Sequence, residues 1–294
     1  MSSLRILVTG ATGQQGGSVL SALEGKGHEL FALTRNGSSA KAQELSDRGI
    51  SVLVGNFHDS QSLIDAFSKV DSVFIVGTPF EAGADGEAKH GINAVDAAKS
   101  AEIKHLVYSS VADADKETGI PHFDSKFKVE QHLRDSGVPF TIIAPAFFYE
   151  NMTAPFSLPN LQNGVYAHAM PSDVKLQMIS AKNIGEFAAL TMENSGRFKG
   201  KRINIAGDEL TGSEIGIAIG KASSRDIGFF EVPIEKVRET SEDMALMYEW
   251  FVRVGYSVEI EGLRREYPDV RWETFIQWAR RQDWSVLNPA EAVT

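Results

Sequence analysis

A short apolar run over 4–8 breaks into Thr9-Gly10-Ala11-Thr12-Gly13-Gln14-Gln15-Gly16-Gly17, and a second apolar run closes at Thr34-Arg35. No other stretch limits the possible folds so sharply. A buried strand delivers the backbone into a glycine turn, where the missing Cβ atoms let it approach a pyrophosphate; the helix that follows presents its unpaired N–H groups. The spacing is G-x-x-G-x-x-G and not the commoner G-x-G-x-x-G, and glycines also serve as plain loop punctuation. Context gives it weight: strand before, helix after, and a second strand ending on a basic residue. The pattern predicts a dinucleotide pocket.

The end of the second run sorts dinucleotides. NAD sites place Asp or Glu about 20 residues on, accepting from the ribose hydroxyls, whereas NADP sites place Arg there, forked onto the 2′-phosphate. Here the position holds Arg35 with no acid beside it, and Lys41 adds positive charge nearby. NADP(H) is the expected cofactor; the alternative for Arg35 is a solvated loop arginine.

With 29 basic and 39 acidic residues the formal net charge is −10, which argues against a direct grip on nucleic-acid phosphates. Cysteine is absent, excluding disulfides, thiolate nucleophiles and cysteine-ligated metals. The seven histidines show no ligand spacing such as HExxH, so no metal site is predicted. No long apolar segment follows a basic start; neither a signal peptide nor a membrane anchor is expected, and the cytoplasm is the expected compartment.

Apolar runs at 4–9, 29–34, 50–54, 71–76, 103–108 and 138–144 read as buried parallel strands. Between them lie helical segments near 15–25, 38–48, 60–69, 87–101 and 124–136, with Asp59 and Asp124 as caps and Gly25, Gly49 and Gly137 as stops. Such alternation predicts an α/β fold: a Rossmann-type doubly wound parallel sheet, its ligand crevice at the carboxyl end of the first strand. Past Tyr149 the rhythm loosens. A Pro/Asn-rich stretch at 155–171 precedes a helix at 181–193, a strand at 201–206, helices near 211–223 and 241–254, and a tryptophan-bearing helix at 272–281. The expected division is 1–150 as NADP-binding domain and 151–294 as a smaller α+β substrate lobe, interleaved with the sheet. Trp272, Trp278 and Trp284 are assigned to packing.

Taken in order, Gly10-Ala11-Thr12-Gly13-Gln14-Gln15-Gly16-Gly17-Ser18-Val19, Thr34-Arg35, Gly55-Asn56-Phe57-His58-Asp59, Val107-Tyr108-Ser109-Ser110, His122-Phe123-Asp124-Ser125-Lys126-Phe127-Lys128-Val129-Glu130 and Pro145-Ala146-Phe147-Phe148-Tyr149-Glu150-Asn151 resemble the NmrA-like family of atypical short-chain dehydrogenases. The resemblance spans nearly the whole chain. It implies a Rossmann domain, NADP preference and a lobe over the nicotinamide end, in a family divided between redox-sensing regulators and NADPH-dependent reductases. The expected function is therefore an NADP(H)-binding regulatory protein that responds to NADPH/NADP⁺ through a protein partner. The alternative is an NADPH-dependent oxidoreductase of a flat apolar acceptor such as a quinone; a non-redox epimerase or binding module is a third reading.

Carried over residue by residue, the resemblance assigns Gly10, Thr12, Gly13, Gln14, Gln15 and Gly16 to the pyrophosphate turn and Arg35 to the 2′-phosphate. Asn56 and Phe57 fall near the adenine, although a turn asparagine explains the former equally well. Gly77, Thr78 and Pro79 fall by the ribose, and Ser109, Lys126, Pro145 and Phe147 complete the cofactor set. Phe148, Tyr149 and Asn151 fall toward the substrate pocket, lobe packing being the alternative for the aromatics. Ala144-Pro145-Ala146 stands where many relatives carry Arg-Pro-Gly, removing a possible charged contact.

A working short-chain dehydrogenase pairs Tyr with Lys four residues later, one helical turn, so that both share a face. Lysine binds the ribose and lowers the phenol's pKa, while a serine polarises the carbonyl. Here Lys126 is present and Ser109 or Ser110 fits the serine, but the fourth position before the lysine is His122. His122 reads either as an imidazole proton donor or as a residue that caps or packs at a helix start after Pro121.

Overall fold

The structure, a computed structural model, describes residues 3–79 and 82–288. In chain order its elements begin β1 Arg5–Val8, α1 Gln14–Leu23, β2 Glu29–Thr34, α2 Ala40–Asp47, β3 Ser51–Val54, α3 Ser60–Phe67, β4 Ser72–Val76, α4 Gly83–Ser100, β5 His105–Ser109, α5 Pro121–Ser136 and β6 Phe140–Pro145. They continue with β7 Phe147–Phe148, α6 Leu158–Gln162, β8 Val165–His168, β9 Lys175–Ile179, α7 Ala181–Glu193, α8 Ser195–Phe198, β10 Arg202–Ile205, β11 Asp208–Thr211 and α9 Gly212–Ser223. The last are β12 Gly228–Glu231, α10 Ile234–Thr240, α11 Glu242–Arg253, α12 Ile260–Glu266 and α13 Phe275–Ala279.

Two compact units interleave along this chain. One comprises the chain to Ala144 with Ala181–Asn204 and Pro268–Val270; the other comprises Pro145–Ser180, Ile205–Tyr267 and the chain from Arg271.

The first unit carries a seven-stranded sheet in the order β10-β6-β5-β4-β1-β2-β3. The pairings from β3 through β6 are parallel. Ile6, Leu7 and Val8 of β1 and Val73 and Phe74 of β4 are fully buried, as central strands covered on both faces must be. Strand order reverses between β1 and β4, so their carboxyl ends form the crevice of a doubly wound sheet. The six predicted strands are all present. Asp59 caps α3, accepting from the backbone N–H groups of Gln61 and Ser62.

Three local expectations shift. The fifth helix opens at Pro121 and not Asp124, because proline at the first helical position lacks only an N–H that has no helical partner anyway; His122 thereby lies inside the first turn. The fourth begins at Gly83. The stretch 181–204, placed in the lobe by the cut at 150, belongs to the sheet unit: β10 extends the sheet beyond β6, and α7 packs along α1.

The second unit holds a three-stranded sheet, β11-β9-β7, and the parallel pair β12-β8. The tryptophan-bearing helix is shorter than expected, Phe275–Ala279, opened by a capping box between Thr274 and Gln277. Trp278 and Trp284 are buried, and the rings of Tyr149, Phe275 and Trp278 cluster with centroids 5.2–5.8 Å apart.

Candidate functional site

The turn after β1 is shaped by its glycines. Gly10 has φ +60°, a left-handed conformation, and a Cβ there would lie 2.7 Å from Val76 Cγ1. A Cβ at Gly16 would lie 2.3 Å from the Gly10 carbonyl oxygen, so the helix start rests directly on the turn. Gly13 stands at the N-cap of α1 and supplies no side-chain cap, leaving the first N–H groups of the helix for an anion. Thr9 Oγ1 accepts from the Val76 N–H at 3.0 Å, tying the ends of β1 and β4 together.

These ends open into a cavity of about 450 Å³. Of the sequence-predicted residues, Gly10, Thr12, Gly13, Arg35, Phe57, Gly77 and Thr78 line it. Asn56 behaves as the turn residue the sequence also allowed: its Oδ1 accepts from the His58 N–H at 3.0 Å, and its own N–H donates to Ser62 Oγ at 3.0 Å. His90 and Gly91 of α4 line the cavity too and escaped the sequence reading, for no motif marks them. The rings of Phe57 and His90 stack with centroids 6.3 Å apart.

The serine alternatives separate by face, because successive residues on a strand point opposite ways. Ser109 Oγ donates to Gln15 Oε1 at 2.6 Å, joining the end of β5 to the first turn of α1. Ser110 Oγ instead donates to the Glu130 carboxylate, which also takes Arg202 Nε at 2.8 Å, and both Ser110 and Glu130 are buried. Tyr108 offers no substitute for the missing phenol. It is buried with no hydrogen-bond partner among the described residues, and burial first, then the charges of Glu87 and Glu130, pushes it well above the ordinary tyrosine range.

Lys126 on α5 is ion-paired with Glu87 of α4, a residue the sequence reading did not single out. Glu87 also accepts from Ser125 Oγ at 2.6 Å. His122, one helical turn before Lys126, is half-buried and sets its ring edge-on to Phe123 at 4.8 Å.

In the second unit, Tyr149 is fully buried and donates to the Glu273 carbonyl at 3.2 Å, with burial raising its pKa; its side chain offers no surface to a ligand. Pro145 is buried as well, whereas Phe147, Phe148 and Asn151 are half-buried. Phe147 meets the rings of His168 and Phe251 edge-on at 5.8 and 6.3 Å. Among the described residues no cluster of three or more His, Asp or Glu side chains could hold a metal ion, and no helix is long and apolar enough to cross a membrane.

Known proteins resemble this chain in sequence and in fold. The chain is 26% identical over 242 residues to the NAD(P)H azoreductase of Xenophilus azovorans, covering 82% of each protein. It is 29% identical over 228 residues to quinone oxidoreductase 2 of Escherichia coli strain K12, covering 76% of each. The crystal structure of Nmra, a negative transcriptional regulator, in complex with NADP superposes with a TM-score of 0.78 at 21% identity, covering 96% of this chain and 95% of that one. The NmrA-like family profile matches residues 2–287, and the chain therefore belongs to the NmrA-like family.

Proposed function

We propose that this protein binds NADP(H) in the cavity at the carboxyl ends of β1 and β4 and reports the NADPH/NADP⁺ ratio to a protein partner. The residues fit the dinucleotide. Gly10 and Gly16 leave no room for a Cβ at their own positions, the start of α1 has uncapped N–H groups, and Arg35 lines the same cavity where a 2′-phosphate would call for a guanidinium. Relatives named for NAD(P)H use, and the NADP-bound Nmra structure of the same fold, support this reading.

One observation carries the regulatory part. The lysine that a dehydrogenase would pair with a phenol has Glu87 as its partner, and His122 stands where the phenol would be. Reporting a ratio requires unequal affinities, since a ligand shifts a two-state equilibrium only by its differential affinity for the states. Calorimetric titration with NADP⁺ and NADPH, combined with sedimentation of each complex, tests it. Unequal affinity with a change in assembly or partner capture supports the reading; equal affinity with neither change sinks it.

A second reading is supported by the azoreductase and quinone oxidoreductase relatives. Here the bound cofactor would supply hydride to a flat apolar acceptor. Lys126 would hold the ribose, and His122 or solvent would deliver the proton. A panel of quinones and carbonyls followed by NADPH absorbance should show turnover well above buffer, reduced by His122→Phe or Lys126→Ala. A flat result across the panel eliminates it.

A further inference from the structure

We propose that Glu87 is a positioning residue that fixes Lys126 behind the cavity wall and, by neutralising it, sets the balance of affinity between the oxidised and reduced cofactor. The inference rests on the reading above, that the cavity takes NADP(H) with Lys126 on the nicotinamide-ribose side.

The Glu87 side chain is 1% exposed and that of Lys126 12%. A carboxylate so buried is tolerable only when its oxygens are paired, and both are: one by the Lys126 ammonium, the other by Ser125 Oγ at 2.6 Å. The same carboxylate lies against the exit of β4. A Cβ on Gly77 would stand 3.1 Å from Glu87 Oε1 and 3.2 Å from its Cγ, and Gly77 itself lines the cavity. The ion pair thus abuts the backbone that forms the cavity wall, and any side chain at 77 would press on it.

The consequence is electrostatic. An oxidised nicotinamide ring carries a positive charge that the reduced ring lacks. A lone ammonium behind this wall would disfavour the oxidised form by direct repulsion, whereas an ammonium in contact with a carboxylate presents only a dipole, whose field falls off faster. Glu87 therefore keeps the site receptive to NADP⁺. Its loss should shift preference toward NADPH.

The test uses the full chain and calorimetric titration with NADP⁺ and with NADPH. Glu87→Gln, close in shape but uncharged, should raise the ratio of the NADP⁺ Kd to the NADPH Kd about three- to tenfold. Glu87→Gln combined with Lys126→Met should return the ratio to within about twofold of the parent, since neither charge then remains. A Glu87→Gln variant that weakens both nucleotides equally, or neither, assigns Glu87 a merely structural role and overturns the proposal. So does a shift that persists in the double variant. Should Gln at 87 prevent folding, Glu87→Asp, which keeps the charge, must hold the parental ratio; a threefold shift there overturns the proposal as well. Failure of the parent protein to bind either nucleotide would instead remove the functional reading on which this rests.

Discussion

Lys126 of α5 and Glu87 of α4 form an ion pair enclosed where those helices cross, with the carboxylate 1% exposed. Removing one member of such a pair leaves the other buried and uncompensated, which typically costs about 3–5 kcal/mol. Lys126→Met should therefore destabilise the nucleotide-free protein by roughly that amount in urea unfolding at neutral pH. A loss below about 1 kcal/mol, the worth of an exposed pair, would show that the contact is solvated.

Arg35 tests the cofactor assignment. Charge-assisted bonds to a 2′-phosphate contribute about 1.5–3 kcal/mol, so Arg35→Ala should weaken NADP⁺ binding about tenfold to a hundredfold while NAD⁺ changes little. Equal losses for both nucleotides would make Arg35 structural. Competitive fluorescence titration distinguishes the outcomes.

Gly16→Ala places a methyl group 2.3 Å from the Gly10 carbonyl oxygen, a backbone atom that no rotamer change can move aside. The helix start must lift from the turn, with an overpacking cost of about 1–3 kcal/mol. We expect a lowered Tm and nucleotide affinity reduced at least about tenfold, because the N–H groups of α1 leave their place. Unchanged binding by calorimetry would contradict this geometry.

Burial lowers the pKa of both His105 and His168 to about 4, from an ordinary value of 6.5. Between those values the unfolded chain binds more protons than the folded one, so stability rises with pH and is lost as pH falls from about 6.5 toward 4. Each histidine contributes up to about 1.4 kcal/mol per pH unit in that window. Among the described residues His168 Nε2 has no hydrogen-bond partner, and its ring sits among Phe147, Tyr166 and Tyr248. His168→Phe should hold stability at pH 7.5 within about 1 kcal/mol and flatten the acid limb by one proton's worth. Urea midpoints at half-unit pH steps read this directly; an unaltered limb would place the titration elsewhere.

Much of the cavity lining was legible before folding. The central strands announce themselves because a strand buried on both faces has no polar positions to interrupt its apolar run, whereas β3, expected as a buried strand, lies at the sheet edge with Ser51 and Val54 exposed. The turn at Gly10 and Arg35 at the end of β2 reach the same cavity because the strand order of a doubly wound sheet brings those carboxyl ends together. Asn56 was legible only as an alternative, since a turn asparagine and an adenine-side residue look alike in sequence. Glu87 was not legible at all: it lies 39 residues before Lys126, and nothing in the periodicity of α4 marks one buried acid as a lysine's partner.

The sequence by itself determined the strand–helix alternation, the glycine turn and the basic residue expected at a 2′-phosphate. Each depends on local rules: side-chain period, the φ a residue tolerates, and the unpaired N–H groups of a helix start. Tertiary structure alone decided that Ser109 rather than Ser110 meets α1, that Tyr149 is core, that 181–204 joins the sheet unit, and that Lys126 is neutralised by Glu87. Those outcomes depend on which helices cross and which faces they bury. The partner of a buried charge is chosen by long-range packing, because only there does desolvation make an unpaired charge intolerable.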